Sequence, residues 1–277
     1  MNLRRPPVNP RCWLLPAALL AATLTAAADV DDADGNGHVG SVRCASCHEE
    51  AFAAWRGSHH DLAMQRPDAV SVLGDFGNAH FEHFGTVTQF MQRDGRYLVR
   101  TEGPDGKAAD YEVAWVFGVY PLQQYLLPLD DGRLQALSVA WDSRPAGEGG
   151  QRWYHLYPDE AIGHDDPLHW TGPYQNWNTR CAECHSTDVR KNYDAASRRF
   201  DTTFAEDDVG CEACHGPGRR HVVLAEAGNL ASDALAGFAV DLAARGTWAF
   251  APDTAIARRQ SPLDNRQQVD TCGRCHA

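Results

Sequence analysis

Four five-residue patterns contain the residue types that can hold a metal-bearing group. Each has the form Cys-x-x-Cys-His, and the four lie at residues 44–48, 181–185, 211–215 and 272–276. C-x-x-C-H is the attachment signature of c-type haem. Its two thiols add to the porphyrin vinyl groups, and the histidine that follows binds the iron from one side. The pattern predicts four covalently attached haem c groups.

The motifs contain eight of the nine cysteines. The predicted attachment residues are Cys44, Cys47, Cys181, Cys184, Cys211, Cys214, Cys272 and Cys275, and the predicted proximal iron ligands are His48, His185, His215 and His276. Cys-x-x-Cys pairs also occur in zinc ribbons, thioredoxin-type sites and disulfides. None of these needs a histidine after every second cysteine, and the βαβ context of a thioredoxin-type site is not evident here.

Each iron has a second axial position, which histidine or methionine usually fills. After the first 28 residues the methionines are Met64 and Met91. The histidines outside the motifs are His38, His59, His60, His80, His83, His155, His164, His169 and His221. This supply favours two histidines on each iron and low-potential haems, and it leaves open which histidines serve.

Helical spacing restricts which haem a nearby histidine can reach. Four residues fall at helical spacing on one face: His48, Phe52, Trp55 and His59. Such a helix carries His59 and His60 away from the haem held by His48. His221, six residues after His215, is displaced in the same way. We therefore expect these histidines to bind neighbouring haems, which must then stack against one another.

The N-terminal residues predict export. Arg4, Arg5 and Arg11 precede an apolar stretch at 12–24, and small residues follow at 26–28. We predict a signal peptide over 1–28, an acidic flexible segment over 29–37 and a tetrahaem cytochrome domain over 38–277. The protein is expected in the periplasm, with extracellular and outer-surface locations as alternatives. It would associate with a membrane only if the leader stays uncleaved.

Composition excludes two broad classes of protein. The formal net charge is −12 and no basic run occurs, which argues against nucleic-acid binding. Only 43% of the residues are hydrophobic, which argues against a protein with several membrane spans.

The long interval between the first and second motifs predicts strands. Residues 86–92 and 97–101 flank Asp94-Gly95, a hairpin signal, and residues 111–117 alternate between apolar and other side chains. A turn at 130–132 joins two further segments. We predict a small antiparallel sheet of about four strands at about 80–142, within an insertion of about 80–175 that ends in a long loop. The expected fold class is otherwise a multihaem cytochrome c, mostly α and irregular around stacked haems.

Two stretches resemble multihaem cytochromes that carry the cytochrome c-552/c-554 domain. They are Val39-Gly40-Ser41-x-x-Cys44-x-x-Cys47-His48 with Trp55-x-x-Ser58-x-His60, and Gly210-Cys211-Glu212-x-Cys214-His215-Gly216-Pro217-Gly218-x-x-His221. The similarity covers residues 38–66 and 177–221. It implies that His60, in preference to His59, and His221 are distal iron ligands.

Residues 150–155 also resemble a subgroup whose longer members carry further haems and C-terminal tetratricopeptide repeats. This similarity implies that the chain is the N-terminal tetrahaem part of a longer protein. Together with aromatic neighbours, it implies His169 and His83 as the other two distal ligands.

The expected function is electron transfer without catalytic residues. The expected partners are electron donor and acceptor proteins, such as other exported cytochromes or membrane quinol-linked complexes. One alternative is the haem-bearing part of an oxidoreductase for a small nitrogen or sulfur compound. Its open iron is expected at His276, because only one residue follows. The other alternative is a subunit of a cytochrome filament.

Overall fold

The computed structural model describes residues 37–242, 247–251, 254–260 and 266–276. These residues belong to one compact unit of the chain. The predicted signal peptide and nearly all of the predicted acidic segment lie outside the described residues. No helix in the described part of the chain is both long and apolar enough to cross a bilayer.

Four consecutive strands form an antiparallel meander. They are β2 (Gly77–His83), β3 (Thr86–Arg93), β4 (Arg96–Glu102) and β5 (Ala108–Glu112), and they pair in chain order. The β3–β4 hairpin closes at the predicted position, with Arg93 opposite Arg96. Both intervening residues have positive φ, 51° at Asp94 and 78° at Gly95, which is the backbone that Asp-Gly turns favour. The hairpin prediction is confirmed.

A second antiparallel sheet has six strands. It contains β1 (Met64–Gln65), β6 (Trp115–Phe117), β7 (Leu122–Pro128), β8 (Leu134–Ala136), β9 (Val139–Asp142) and β10 (Arg152–His155). The strand order is β1-β6-β7-β9-β10, and β8 pairs with β7 beyond the turn at 130–132. Strand β10 lies inside the predicted loop, because its residues pair with β9 from Arg152 opposite Asp142 to His155 opposite Val139.

Short helices carry the cysteine motifs. They are α1 (Ser41–Ala45), α2 (Glu49–Trp55), α3 (Trp177–Arg180), α4 (Ala182–His185), α5 (Cys211–His215), α6 (Arg219–Glu226) and α7 (Gln267–Cys272). Two further hairpins are β11 (Tyr193–Asp194) with β12 (Arg199–Phe200), and β13 (Trp248–Phe250) with β14 (Ala257–Arg259).

The predicted fold class is wrong in its balance of elements. Strands hold 28% of the residues and helices 21%, and several antiparallel sheets are present. The sequence prediction counted about four strands because it treated residues 111–117 as one strand. In the structure β5 ends at Glu112 and β6 begins at Trp115, so the alternating segment contributes to both large sheets. The β region is therefore a major part of the fold rather than a small insertion.

Two apolar clusters form the core. In the first, Phe90 of β3 stacks on Trp153 of β10 with ring centroids 3.4 Å apart, and Phe76 packs edge-on against both. In the second, Trp177 and Ala182 pack against the six-stranded sheet, and Cys181 lies against this cluster. Each Å² of apolar surface buried in this cluster contributes about 25 cal/mol of stabilisation. This burial holds the second cysteine motif against the sheet.

Candidate haem sites

The motifs share a local backbone arrangement that brings each histidine close to the two thiols. In the first motif the amides of Cys47 and His48 donate to the carbonyl of Cys44, at 3.1 and 3.0 Å. The fourth motif repeats these bonds from Cys275 and His276 to Cys272, at 3.2 and 2.9 Å. One helical turn therefore separates the first cysteine from the histidine, as attachment to one porphyrin requires.

The motif cysteines are free thiols, and thiols of different motifs lie close together. Burial raises the pKa of Cys44 to about 11, with a further contribution from Cys211. Burial likewise raises the pKa of Cys275 to about 11, with a further contribution from Cys184. The first motif thus adjoins the third, and the second adjoins the fourth.

A third contact links these two pairs of motifs. The pKa of Cys214 is raised by burial and then by the nearby Cys272. The motifs are therefore neighbours in the order first, third, fourth, second, which differs from their order in the sequence. Stacked groups attached to these motifs would follow the same order.

The ring of His48 faces the ring of His221. Their centroids are 6.0 Å apart and the ring planes differ by 31°. Nδ1 of His221 lies 2.8 Å from the carbonyl oxygen of Ala236, which leaves Nε2 available. Phe238 stacks on His221 with ring centroids 4.5 Å apart, so this stacking and the bond to Ala236 hold the imidazole in place.

His60 and His276 form a second pair with the same separation. Their ring centroids are also 6.0 Å apart, and the planes differ by 68°. The amide of Val209 donates to the carbonyl of His60 at 3.1 Å, and the indole of Trp55 donates to the carbonyl of Val209 at 3.0 Å. These bonds place His60 opposite the fourth motif, so His276 faces a second histidine.

Both pairs fit a metal bound between two imidazoles. Metal–imidazole bonds are about 2 Å long, so rings on opposite sides of one metal have centres about 6 Å apart. Each pair joins one motif histidine to one histidine from another segment. The fixed Nδ1 of His221 is also typical of a ligating histidine, whose second nitrogen usually bonds to a protein acceptor.

A cavity of about 620 Å³ lies between the second, third and fourth motifs. Its lining includes Cys184, His185, Cys214, Cys275 and the ring of His60. Nδ1 of His185 lies 2.9 Å from the carbonyl oxygen of Ala63, and the edge of Phe117 packs on the ring. The cavity therefore combines a fixed motif imidazole with thiols from three motifs, which is a donor set suited to haem.

Comparison with known proteins gives a family match. The family model described as cytochrome c554 and c-prime matches residues 43–72 and 166–216, which contain the first three motifs. Over these residues the chain is similar to cytochromes of that family.

The chain is also similar to the solved structure of the outer cell wall cytochrome OcwA. The TM-score is 0.41 and the identity 20%, over 69% of this chain and 34% of that one. The chain thus spans about one third of the length of OcwA. No curated protein matches it.

His83 and His169 lie in a different part of the fold from the motifs. The ring of His83 stacks on His155 at 3.9 Å, and His169 is buried with Nδ1 2.8 Å from the hydroxyl of Thr171. Both line a separate cavity of about 40 Å³ beside β10. In the described part of the chain, no motif residue lines this cavity. Neither His83 nor His169 has a ring contact with a motif residue there. Their role as distal ligands remains a prediction.

The histidine of the third motif, His215, lies near one aromatic ring and two other imidazoles. The ring of Phe238 lies 5.8 Å from the ring of His215. Burial lowers the pKa of His215, and the nearby His48 and His221 lower it further. The first and third motifs thus bring three imidazoles together, and the neutral form of His215 that these effects favour is the form that ligates metals.

Sequence reasoning overlooked two carboxylates that position the motifs. Glu212, inside the third motif, and Glu206 bind backbone amides next to the first motif. In the sequence, the position of Glu212 between Cys211 and Cys214 is a local signal of such a role. This position does not reveal the distant amides that Glu212 binds.

Proposed function

We propose that this cytochrome carries four haem c groups and transfers electrons between exported redox proteins. The observation that supports this most directly is the pair of histidine–histidine arrangements at 6.0 Å. In this proposal, two of the four irons would each be bound by one histidine from each side. When bound, haem supplies an iron that changes between Fe(III) and Fe(II), which is one-electron chemistry.

In this proposal the eight motif cysteines attach the porphyrins and the four motif histidines are the proximal ligands. His221 is the distal partner of His48, and His60 is the distal partner of His276. The proximity of thiols from different motifs supports an order of attachment points of first, third, fourth, second. Such a continuous series is what a carrier needs to receive an electron at one motif and deliver it from another.

The proposed location is the periplasm, supported by the leader-like sequence of residues 1–28. The proposed partners are exported cytochromes or membrane quinol-linked complexes. With a formal charge of −12, electrostatic steering would favour basic faces on those partners.

Haem stoichiometry and iron spin state test the proposal. The protein is expressed in a host that matures c-type cytochromes, and haem is quantified per chain alongside oxidised and dithionite-reduced visible spectra. A carrier is expected to hold four haems, with low-spin irons that do not respond to carbon monoxide or nitrite. Fewer haems, or none, would contradict the proposed cofactor content.

A second candidate function is that of an oxidoreductase for a small nitrogen or sulfur compound, with an open iron at His185. In the described residues no ring contact joins His185 to another histidine, and Gly118, Val119 and Tyr120 border the same cavity. This favours His185 over His276 as the place where a small nitrogen or sulfur compound would reach an iron. A high-spin fraction that binds carbon monoxide in the wild type, and whose spectrum His185→Ala alters, would support this function over the carrier.

A further inference from the structure

The segment that precedes the first motif is held by charged groups from the third motif. Residues 38–41 form no strand, and α1 begins only at Ser41. Their backbone amides would otherwise be unpaired donors at the start of a short helix. Two carboxylates, from Glu206 and Glu212, accept hydrogen bonds from these amides.

Glu212 is the more buried of the two carboxylates. Its side chain is only 3% exposed. It accepts hydrogen bonds from the amides of Val39 at 3.0 Å, Gly40 at 2.7 Å and Gly218 at 2.6 Å. Hydrogen bonds from an amide to a carboxylate are about twice as strong as hydrogen bonds between neutral groups. One side chain thus joins the N-terminal side of the first motif to the C-terminal side of the third.

Ser41 and Glu206 add a second set of bonds between the same segments. Glu206 accepts from the Ser41 amide at 2.8 Å and from its hydroxyl at 3.0 Å. The Ser41 hydroxyl in turn accepts from the amide of Cys211 at 2.9 Å. Gly210 lies against this network, because a Cβ there would meet Glu206 Oε2 at 2.1 Å.

We propose that Glu212 is a positioning residue that sets the separation of the first and third haems and lowers their reduction potentials. The inference rests on the proposed function. Its geometric part follows from the bonds above, which bring Cys44 next to Cys211. Its electrostatic part follows from the place of Glu212 between Cys211 and Cys214, the two thiols of one porphyrin. A buried negative charge there stabilises Fe(III) relative to Fe(II).

Two substitutions separate position from charge. Glu212→Gln keeps the length but removes the charge, and it turns one amide NH₂ toward backbone donors. Glu212→Asp keeps the charge but withdraws the oxygens from Val39 and Gly40. We expect faster hydrogen exchange at these two amides in both variants, and higher potentials of the first and third haems mainly in Glu212→Gln. The potentials are followed by electron paramagnetic resonance during a redox titration of the full chain.

The matched control is Glu226→Gln. Glu226 also pairs with α1, through Arg43, but its side chain is 64% exposed. Glu226→Gln removes the same charge and a contact to the same helix. Amide hydrogen exchange and haem potential are both expected to stay at their wild-type values. If Glu212→Gln behaves like Glu226→Gln in both readouts, the proposal is wrong.

A further variant covers a failure of Glu212→Gln to fold. Ser41→Ala leaves Glu212 in place and removes the hydroxyl between Glu206 and Cys211, so faster exchange is expected at the Cys211 amide. Unchanged exchange there would contradict the interlocking of the two motifs. A wild type with fewer than four haems would overturn the proposed function, whereas the exchange measurements would still decide the positioning role.

Discussion

The imidazole of His60 lies 6.0 Å from that of His276, although the two residues stand near opposite ends of the described chain. His60 follows the first motif and His276 belongs to the fourth. The segment that follows the first motif therefore packs against the histidine of the last motif. In the proposed haem arrangement, His60 would be the second ligand at His276.

The first prediction concerns this pair. His60→Ala is expected to leave all haems attached, because the thioether bonds and His276 remain, but to convert one iron to high spin. The visible and magnetic circular dichroism spectra of the oxidised protein measure the change. His59→Ala is the control, since it removes an exposed neighbouring imidazole that has no ring contact with His276 in the described residues. A fully low-spin His60→Ala protein would contradict the pairing.

The second prediction uses the different ring angles of the two pairs. Nearly parallel imidazoles interact with the same iron d orbital and separate its energy from that of its partner, whereas nearly perpendicular imidazoles leave the two close in energy. The 31° angle at His48–His221 predicts an ordinary rhombic low-spin resonance, and the 68° angle at His60–His276 predicts a strongly anisotropic one. Electron paramagnetic resonance of the oxidised protein measures both.

Variants assign these two signals. His221→Ala is expected to remove the rhombic signal, and His60→Ala the strongly anisotropic signal. His80→Ala, which removes an exposed imidazole on β2, is expected to change neither. Loss of both signals in either ligand variant would show that the two pairs do not act separately.

The third prediction concerns pH and Asp208. Burial, together with the nearby Glu206, Asp207 and Asp61, raises the pKa of Asp208 to about 7. Its Oδ1 is buried without a hydrogen-bond partner in the described residues. An unfolded Asp titrates near about 3.9, so the folded state binds this proton more tightly. The free energy of unfolding contributed by Asp208 is therefore highest below pH 4 and decreases as the pH rises to about 7.

Substitution of Asp208 tests the sign of this effect. Asp208→Asn cannot ionise, so its free energy of unfolding should exceed that of the wild type at pH 8 and approach it at pH 4. Urea unfolding at both pH values gives the comparison. Asp201→Asn, at an exposed position on the same segment, is the control and should show no such crossover. A larger gain at pH 4 than at pH 8 would contradict the sign.

The fourth prediction concerns the β region. Trp153 is 8% exposed and stacks on Phe90 at 3.4 Å. Trp153→Ala is expected to lower the free energy of unfolding by about 3–5 kcal/mol, because it leaves a cavity between the two large sheets. Circular dichroism during urea unfolding measures it. Trp248→Ala, at a position 63% exposed, should change it by less than about 0.5 kcal/mol. Equal effects would place Trp153 outside the core.

Some features of this protein depend only on neighbouring residues, and the sequence by itself determined them. The Cys-x-x-Cys-His motifs act within one helical turn, so their spacing alone indicates covalent haem. The Asp94-Gly95 turn is equally local, because its two positive φ values depend on these residue types. The family match to residues 43–72 and 166–216 rests on the same local patterns.

The tertiary structure decided everything that depends on distant partners. Alternation from residue 111 to 117 indicated strands, but only the pairing of each strand shows that β5 and β6 belong to different sheets. His60 and His221 were suggested as ligands by resemblance, whereas their partners His276 and His48 are visible only in the folded chain. Two of the amides bound by Glu212, those of Val39 and Gly40, are 173 and 172 residues away in sequence. Such contacts form because packing brings remote segments together, and no local spacing records which segments will meet.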